Sequence, residues 1–303
     1  MDFRFGLSGS TFAGVDALVE AAVRAEQAGF DAVTVPDLPG ALSPLVALAA
    51  AARATQNIGL GTFVLNTGLW NPATVARELA TLDQVSGGRL EIALGSGIPR
   101  PSLQGIIPAS RDGRFERLQA TVAALQAAFD APGIAPGFVG RHRLLIAGGA
   151  DRTLRLAAEH ADGFIIASVP PVPRIQLPPG QLVLPEPVAA EAFLARLRSY
   201  AGQRAGQLVI GTGVEVILTD DAAATAEQVA AVHTYLSPQQ VRSSPKILIG
   251  RPDEIAGQIL ERRRRLGLTY YVMRGASPEE LAAIITLVRA SAHSATSGPQ
   301  PPP

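Results

Sequence analysis

The sequence has no cysteine, a single lysine and no formal net charge. The absence of cysteine excludes disulfide bonds, thiolate nucleophiles and cysteine-ligated metals. Any lysine that forms a Schiff base would have to be Lys246. A Walker-type phosphate loop, which needs a lysine of its own, is excluded. The four histidines show neither HxH nor HExxH spacing, so we predict no metal site.

Long apolar runs are also missing. No run of 18 or more apolar residues is present, and the first residues, MDFRFGL, lack the basic and apolar regions of a signal peptide. With a pI of about 6.9, no global feature favours nucleic acid or an anionic membrane as a partner. We therefore expect a cytoplasmic protein that binds neither nucleic acid nor membrane.

What the chain does contain is a regular alternation of short β-rich runs and helical patterns. Eight runs are predicted as strands, each followed by helical material: residues 3–7, 32–36, 58–65, 89–95, 144–147, 163–167, 208–218 and 269–273. This count favours a single (β/α)8 TIM barrel of the α/β class over an open doubly wound sheet. We predict a barrel domain over residues 1–293, and a disordered Pro/Ser-rich tail over 294–303.

Two segments interrupt the alternation. Residues 169–187 are rich in proline and are predicted as an irregular excursion after the sixth strand. Residues 220–242 are predicted as a helical insertion after the seventh strand. Both excursions are expected to form walls of the substrate side of a site.

Polar or glycine-rich segments follow several strands, where ligands of a parallel barrel bind. The GGAD turn at 148–151 suits a phosphate, because glycine admits an anion close to the backbone and a helix begins there. An ordinary tight turn would have the same residues. The GSG segment at 95–97 is either a turn or bare backbone for a flat ring. Asp37 either binds a ligand or caps a loop, and Asn66 and Trp70 follow the third strand.

No nucleophile–base pair or carboxylate dyad accompanies these segments, which suggests that a bound cofactor carries the chemistry. Four stretches resemble the luciferase-like flavin and deazaflavin oxidoreductases, and most of all their branch dependent on coenzyme F420. The similarity extends over roughly residues 3–290. The stretches are IGLGTFVLN (58–66), PATVARELATLDQVSGGRLEIALGSG (72–97), LLIAGGADRTLRLAAEHADGF (144–164) and SPKILIGRPDEIAGQILERRRRLGLTYYVM (244–273).

The resemblance implies a cofactor ring at the barrel mouth, a phosphate at the 148–149 turn, and a non-proline cis peptide at Phe63–Val64 behind the ring. The substrate would lie on the opposite face of the ring. It also implies a homodimer formed through the helices that flank strands two and three, with which the apolar stretch 45–54 is compatible. The cofactor-binding residues implied are Asp37, Thr62, Phe63, Val64, Asn66, Gly95, Ser96, Gly97, Gly148, Gly149, Ala150, Ala167 and Ser168.

Three departures from the family bear on the reaction. Leu38 stands where deazaflavin dehydrogenases often have histidine, residues 98–101 (IPRP) stand where some have a glutamate proton donor, and Ala167 replaces a common threonine. These differences argue against a sugar-phosphate dehydrogenase. They also leave the proton donor open, with Asp37, Ser168, Tyr271 and solvent as candidates.

Three functions remain after these considerations. The first is an F420-dependent oxidoreductase that transfers hydride between reduced deazaflavin and an electron-poor double bond or carbonyl of a small-molecule or natural-product substrate. The second is an FMNH2-dependent monooxygenase, with FMN as the cofactor. The third is a non-catalytic binding subunit, which the missing histidine and glutamate favour and the 148–149 turn opposes.

Overall fold

The strands of this chain are short, apolar and buried, as expected for a parallel sheet covered on both faces. The computed structural model describes residues 2–131, 133, 135–140, 142–167 and 184–296. Ten strands lie within these residues: β1 (Arg4–Ser8), β2 (Ala32–Val35), β3 (Gly59–Thr62), β4 (Leu65–Asn66), β5 (Leu90–Gly95), β6 (Arg143–Gly148), β7 (Gly163–Ile166), β8 (Val209–Leu218), β9 (Ile247–Gly250) and β10 (Leu268–Arg274).

Eight of these described strands close into a parallel barrel. Its order is β1, β2, β3, β5, β6, β7, β8 and β10, and β10 pairs with both β8 and β1. The two-residue β4 pairs with β5 beyond the end of β3, and β9 pairs with the last four residues of β8 outside the ring. The predicted (β/α)8 barrel is confirmed.

Helices connect the strands and surround the barrel. In the described part of the chain they are α1 (Val15–Gln27), α2 (Pro44–Ala54), α3 (Pro72–Ser86), α4 (Arg111–Asp130), α5 (Asp151–His160), α6 (Pro187–Ala201), α7 (Ala222–Val232), α8 (Pro238–Ser243), α9 (Pro252–Leu266) and α10 (Pro278–Thr296). None of the helices in the described ranges is long and apolar enough to cross a membrane.

The third predicted strand, over residues 58–65, is interrupted. The Phe63–Val64 peptide is cis, as the family resemblance implied, and it separates β3 from β4. The interrupted segment stays bonded to the neighbouring strand and its loop, since the Phe63 amide donates to Val35 O and the Asp37 amide donates to Val64 O.

Local sequence signals explain both ends of α3. The Asn71 side chain accepts hydrogen bonds from the Ala73 and Thr74 amides, and Pro72 occupies the first helical position. The helix ends at Gly87, whose φ of 68° lies in the left-handed region. These signals return the chain to β5 and so align the strand that ends at the 95–97 segment.

Arg89 fixes this return at the opposite end of the barrel. Its guanidinium donates to backbone carbonyls of Ala52, Thr55, Ile58 and Ser86, at 2.7–3.2 Å, and to the Thr55 hydroxyl at 2.9 Å. One side chain thereby joins the end of α2, the start of β3 and the end of α3.

The core has an inner and an outer part, which alternate along each strand. Tyr270 and Tyr271 show the alternation: Tyr270 belongs to a cluster inside the barrel with Leu145, Ile165 and Val272, whereas Tyr271 belongs to the larger cluster that the helices cover. The Tyr271 hydroxyl donates to Ile259 O of α9 at 3.4 Å.

Polar side chains fill the barrel at the amino ends of its strands. Glu91 pairs with Arg4, lies 3.5 Å from an Arg143 nitrogen, and accepts a hydrogen bond of 3.0 Å from the Tyr270 hydroxyl. These residues come from four different strands, so their contacts cross the barrel. This end is charged and cross-linked, and the opposite end is left for a ligand.

Two predictions of local structure need adjustment. The helical insertion is two helices, α7 and α8, because Pro238 begins a new helix behind a Ser237 capping box. The last helix continues to Thr296 and so includes the first three residues of the predicted tail, since no glycine or proline stops it earlier. Residues 297–303 of that tail and 169–183 of the proline-rich excursion lie outside the described residues. The apolar stretch 45–54 packs mostly inward, with Val46 exposed.

Candidate active site

A cavity of about 420 Å³ lies at the carboxyl ends of the barrel strands. Its volume is typical of sites for small organic ligands, about 300–1,000 Å³. The apolar part of its lining comprises Leu38, Phe63, Val64, Ile98, Leu103, Ile165, Ile166, Val214 and Val272. Ten of the predicted cofactor-binding residues line it: Asp37, Phe63, Val64, Asn66, Gly95, Ser96, Gly97, Gly148, Gly149 and Ala167.

One wall of this cavity is formed by Phe63 and Val64, and two glycines provide the space for them. A Cβ atom on Gly213 of β8 would lie 3.2 Å from Cε1 of Phe63, and one on Gly95 would lie 2.8 Å from Cγ2 of Val64. The Phe63 ring also packs edge-on against Tyr270, with 6.3 Å between ring centroids. The wall is therefore held by contacts with three other strands.

Asp37 lies at the cavity on the loop that follows β2. Its Oδ2 accepts hydrogen bonds from the Asn66 amide at 3.1 Å and from Trp70 Nε1 at 2.8 Å. Burial raises the pKa of the Asp37 carboxyl, and the two hydrogen bonds partly oppose that rise. Asn66 in turn fills the space beside Gly97, whose φ is 76°. The loops after β2, β4 and β5 are thus tied together around the carboxylate.

A second, smaller cavity of about 220 Å³ meets the first at the glycine turns. It lies where α5 begins, so the amide groups of that helix start and the positive end of its dipole favour an anion. Its lining combines the 96–97 and 148–150 segments with residues from α4 and α5: Arg111, Arg114, Phe115, Arg152 and Thr153. Three guanidinium groups at a helix start are suited to bind a phosphate.

Two of the three arginines of this second cavity are held in place by contacts of their guanidinium groups. Arg152 lies over the Phe115 ring at 4.4 Å, pairs with Asp112 and donates to Arg111 O at 2.7 Å. Arg114 is buried and donates to two loop carbonyls, at 2.7 and 3.1 Å. Fixed guanidinium groups lose little conformational freedom when an anion binds.

Lys246 lies in the wall of the main cavity. It directly precedes β9, is 7% exposed, and its Nζ donates to Ala167 O at 2.7 Å. Burial and, to a smaller extent, the positive charge of Arg274 together lower the pKa of Lys246 to about 8. Arg274 also lines the cavity and pairs with Glu215 of β8.

Thr62, Ala150 and Tyr271 do not line the main cavity. Thr62 faces the barrel wall, where its hydroxyl exchanges hydrogen bonds with the Ala93 backbone at 2.9 and 3.0 Å. Ala150 lines the second cavity, and Ser168 lies outside the described residues. The suggestion of Tyr271 as a proton donor is wrong. Side chains of β10 point alternately into the barrel and toward the helices, and Tyr271 points toward the helices.

The sequence analysis missed the cavity's lysine and the three arginines. A lone lysine before a short β-run, or arginines in the first turn of an amphipathic helix, are typical of solvent-exposed positions. The available signal for Lys246 was its place within SPKILIG, a stretch that resembles the family. Only the pairing of β9 with β8 brings it to the barrel mouth.

Comparison with known proteins agrees with the fold and identifies the family. The profile described as luciferase-like monooxygenase matches residues 3–176. An F420-dependent glucose-6-phosphate dehydrogenase of Amycolatopsis mediterranei is 32% identical over 181 residues, which is 50% of this chain and 53% of that protein. The chain thus spans about half the length of the curated relatives it matches.

Solved structures share the whole architecture at low identity. An F420-dependent secondary alcohol dehydrogenase in complex with an F420–acetone adduct has a TM-score of 0.71 and 18% identity, covering 95% of this chain and 100% of the other. A monooxygenase from Streptomyces bottropensis has a TM-score of 0.71 and 20% identity, covering 97% and 99%. At these identities the likeness shows the fold alone. Because the family profile matches more than half of the 303 residues, the chain belongs to the luciferase-like monooxygenase family.

Proposed function

We propose that this chain is an F420-dependent oxidoreductase that transfers hydride between reduced deazaflavin and an electron-poor double bond or carbonyl of a small molecule. The observation that carries the proposal is the pair of joined cavities, one apolar beside Phe63 and Val64 and one lined by arginines at the 148–150 turn. A deazaflavin cofactor combines a flat ring with a phosphate on a short polyol chain. The apolar cavity suits the flat ring, and the arginine-lined cavity suits the phosphate.

The residues present fit such a group. Gly95 and Gly97 leave bare backbone where a side chain would collide with Val64 or Asn66. The ring would lie against this backbone and Phe63, and the phosphate would accept hydrogen bonds from the amides of the 148–150 turn. The bound cofactor supplies the hydride. The protein aligns the reacting groups, and the apolar walls exclude water from them.

The rim of the cavity favours an apolar substrate. Leu38 and Ile98 are 44% and 68% exposed and both line the cavity, so the entrance presents apolar surface beside the exposed Arg100. Such a rim suits a natural product or other organic molecule better than a sugar phosphate. The names of the curated relatives support F420 as the cofactor, whereas the substitutions at Leu38, at 98–101 and at Ala167 point to a different substrate.

A fluorescence titration with oxidised F420 and with FMN tests the cofactor. We expect micromolar binding of F420 and no binding of FMN. Binding of FMN alone would contradict the proposal and favour the alternative, an FMNH2-dependent monooxygenase. The structural neighbour from Streptomyces bottropensis is named as a monooxygenase. Binding of neither would favour a non-catalytic subunit.

A matched pair of variants tests the phosphate cavity. Arg111→Gln removes one exposed guanidinium from its lining, and loss of one charge-assisted hydrogen bond weakens F420 binding by about tenfold or more. Arg77→Gln makes the same change on the exposed face of α3, away from both cavities, and leaves the affinity unchanged. Equal affinities for Arg111→Gln and the unaltered protein would place the phosphate elsewhere.

The homodimer remains a prediction of the family resemblance. Most of α2 packs into its own subunit, and Val46 is 68% exposed. Light scattering of the purified protein measures the mass directly. A mass of 31.5 kDa would refute the dimer.

A further inference from the structure

We propose that Lys246 is the proton donor of this site and that the substrate presents a carbonyl oxygen to it. The proposal rests on the proposed hydride transfer from reduced deazaflavin and names the class of its acceptor, a ketone or an α,β-unsaturated ketone with an apolar body. It fills the role that the sequence left open.

The topology places Lys246 across the barrel mouth from the wall that the ring would contact. The Glu215 amide of β8 donates to Lys246 O at 3.1 Å, which ties the lysine backbone to that strand. In the closed ring of eight strands β3 is third and β8 is seventh, so they stand opposite each other. A ring held against Val64, on the β3 side of the mouth, would leave the substrate on the side of the cavity that Lys246 lines.

The Lys246 ammonium has donors to offer a ligand. An ammonium carries three N–H groups, and among the described residues its acceptor is Ala167 O. The side chain lines the cavity, so a carbonyl oxygen placed there can accept a hydrogen bond from the ammonium. That hydrogen bond would orient the carbonyl and polarise it toward hydride attack.

The charges around Lys246 make it a usable acid near neutral pH. Glu215 of β8 forms an ion pair with Arg274 of β10. The positive charge of Arg274 disfavours the charged ammonium of Lys246. Together with burial, this brings the pKa of Lys246 to about 8, close to the pH at which a general acid is most effective. The same group on an exposed lysine, with a pKa of 10.5, would hold its proton more tightly.

Other polar groups of the cavity are less suited to the role. Arg100 and Arg274 carry guanidinium groups, which do not release protons in this pH range. Asp37 already accepts hydrogen bonds from Trp70 and Asn66. It lies on the loop after β2, and β1 and β10 separate that strand from β8, to which the lysine backbone is bonded. Lys246 is the amine that lines the cavity.

The step balances with one hydride and one proton. The hydride, from reduced deazaflavin, forms a C–H bond at the carbonyl carbon or at the β-carbon of an enone, and the π pair moves to oxygen. Nζ of Lys246 gives its proton to that oxygen. The substrate gains two electrons, and the deazaflavin loses two. The reduced deazaflavin also releases one proton to solvent, and solvent returns one proton to Nζ of Lys246, so the protons balance.

A direct test uses the fact that the chain has one lysine. Protein grown with [ε-13C]lysine gives a single Cε signal, whose pH titration reports this residue alone. We expect a midpoint near 8, and a change of that signal when oxidised F420 and then 2-cyclohexen-1-one are added. A midpoint near 10.5, or a signal that neither addition changes, would overturn the proposal. Unperturbed F420 binding by fluorescence keeps the proposed cofactor separate from this result.

Three variants give the kinetic counterpart, with oxidation of reduced F420 by 2-cyclohexen-1-one as the readout. Lys246→Met lowers the rate about 100-fold and removes its decline above pH 8, while F420 affinity is retained. Lys246→Arg keeps the charge but cannot give up the proton, so it does not restore the rate. Tyr271→Phe, which alters a buried phenol outside the cavity, leaves rate and profile unchanged. A Lys246→Met rate within threefold of the unaltered protein would refute the role.

Discussion

Adding one methyl group at Gly95 tests the packing that forms the cavity wall. The Cβ of Gly95→Ala would lie 2.8 Å from Cγ2 of Val64, closer than real side-chain carbons approach. Gly95 ends β5 and pairs with Asn66 of β4 and Ala147 of β6, so its backbone cannot move away without disturbing two ladders. Val64 must therefore shift into the cavity.

The magnitude follows from what overpacking costs in other cores. Extra methyl groups in packed sites destabilise by about 1–3 kcal/mol. An unfolding entropy of about 2.1 cal/mol/K per residue gives roughly 0.6 kcal/mol/K for a chain of this length, so the melting temperature falls by about 2–5 °C. The displaced Val64 also narrows the apolar cavity, and we expect weaker F420 binding.

A double-mutant cycle with Val64→Ala isolates the contact. Removing Cγ2 of Val64 eliminates the collision, so Gly95→Ala costs almost nothing in that background and the coupling energy is about 1–3 kcal/mol. Gly257→Ala is the control, because a Cβ there meets nothing within 4 Å and lies in α9, where alanine stabilises a helix. Calorimetry of the four proteins gives the cycle. Additive effects of the two substitutions would refute the argument from Val64.

Three further substitutions test charges and hydrogen bonds. Burial raises the pKa of Asp37 above its usual 3.8, so the protein loses stability as pH rises from 3.8 through the raised pKa. The melting temperature of Asp37→Asn therefore increases relative to that of the unaltered protein as pH rises above 4, and a constant difference would contradict this. Burial lowers the pKa of His233 from 6.5, so stability is lost as pH falls below 6.5, and His233→Gln shows a smaller decrease in melting temperature between pH 7.5 and 5.5. Arg89→Met leaves backbone carbonyls unpaired and costs about 2–4 kcal/mol in urea unfolding, and Arg89→Lys recovers less than half of it because a single ammonium cannot reach them all.

The positions of the strands could be predicted because a barrel strand is buried on both faces and so forms a short apolar run. The run over 89–95 corresponds to Leu90–Gly95, and that over 208–218 to Val209–Leu218. The break at Phe63 could not be predicted from periodicity, since the apolar run continues through it. It was predicted from the family resemblance, and the contacts of Phe63 with Gly213 show what occupies the gap.

In the candidate site too, some residues could be predicted from the sequence and others could not. Backbone features such as the glycines at 95–97 and 148–149 leave a sequence signal, because a missing side chain is visible in the sequence itself. The cations do not, because their importance depends on which elements become neighbours. Arg111 lines a cavity with Arg152 through the contact of α4 with α5, and Lys246 reaches the cavity through β9. Neither adjacency is encoded within one element.

Burial acts on two cavity groups in opposite directions, and this links the apolar wall to the proposed proton transfer. It raises the pKa of Asp37 and lowers the pKa of Lys246, because water stabilises the charged form of both. Any ligand that fills the cavity removes more water, so it should lower the pKa of Lys246 further and make the ammonium a stronger acid when a substrate is present. The exposed rim residues Leu38 and Ile98 are placed to complete that exclusion. Replacing both by serine should therefore leave the Lys246 midpoint of the free protein in place and reduce its further shift on ligand binding, an outcome that the single Cε signal can measure.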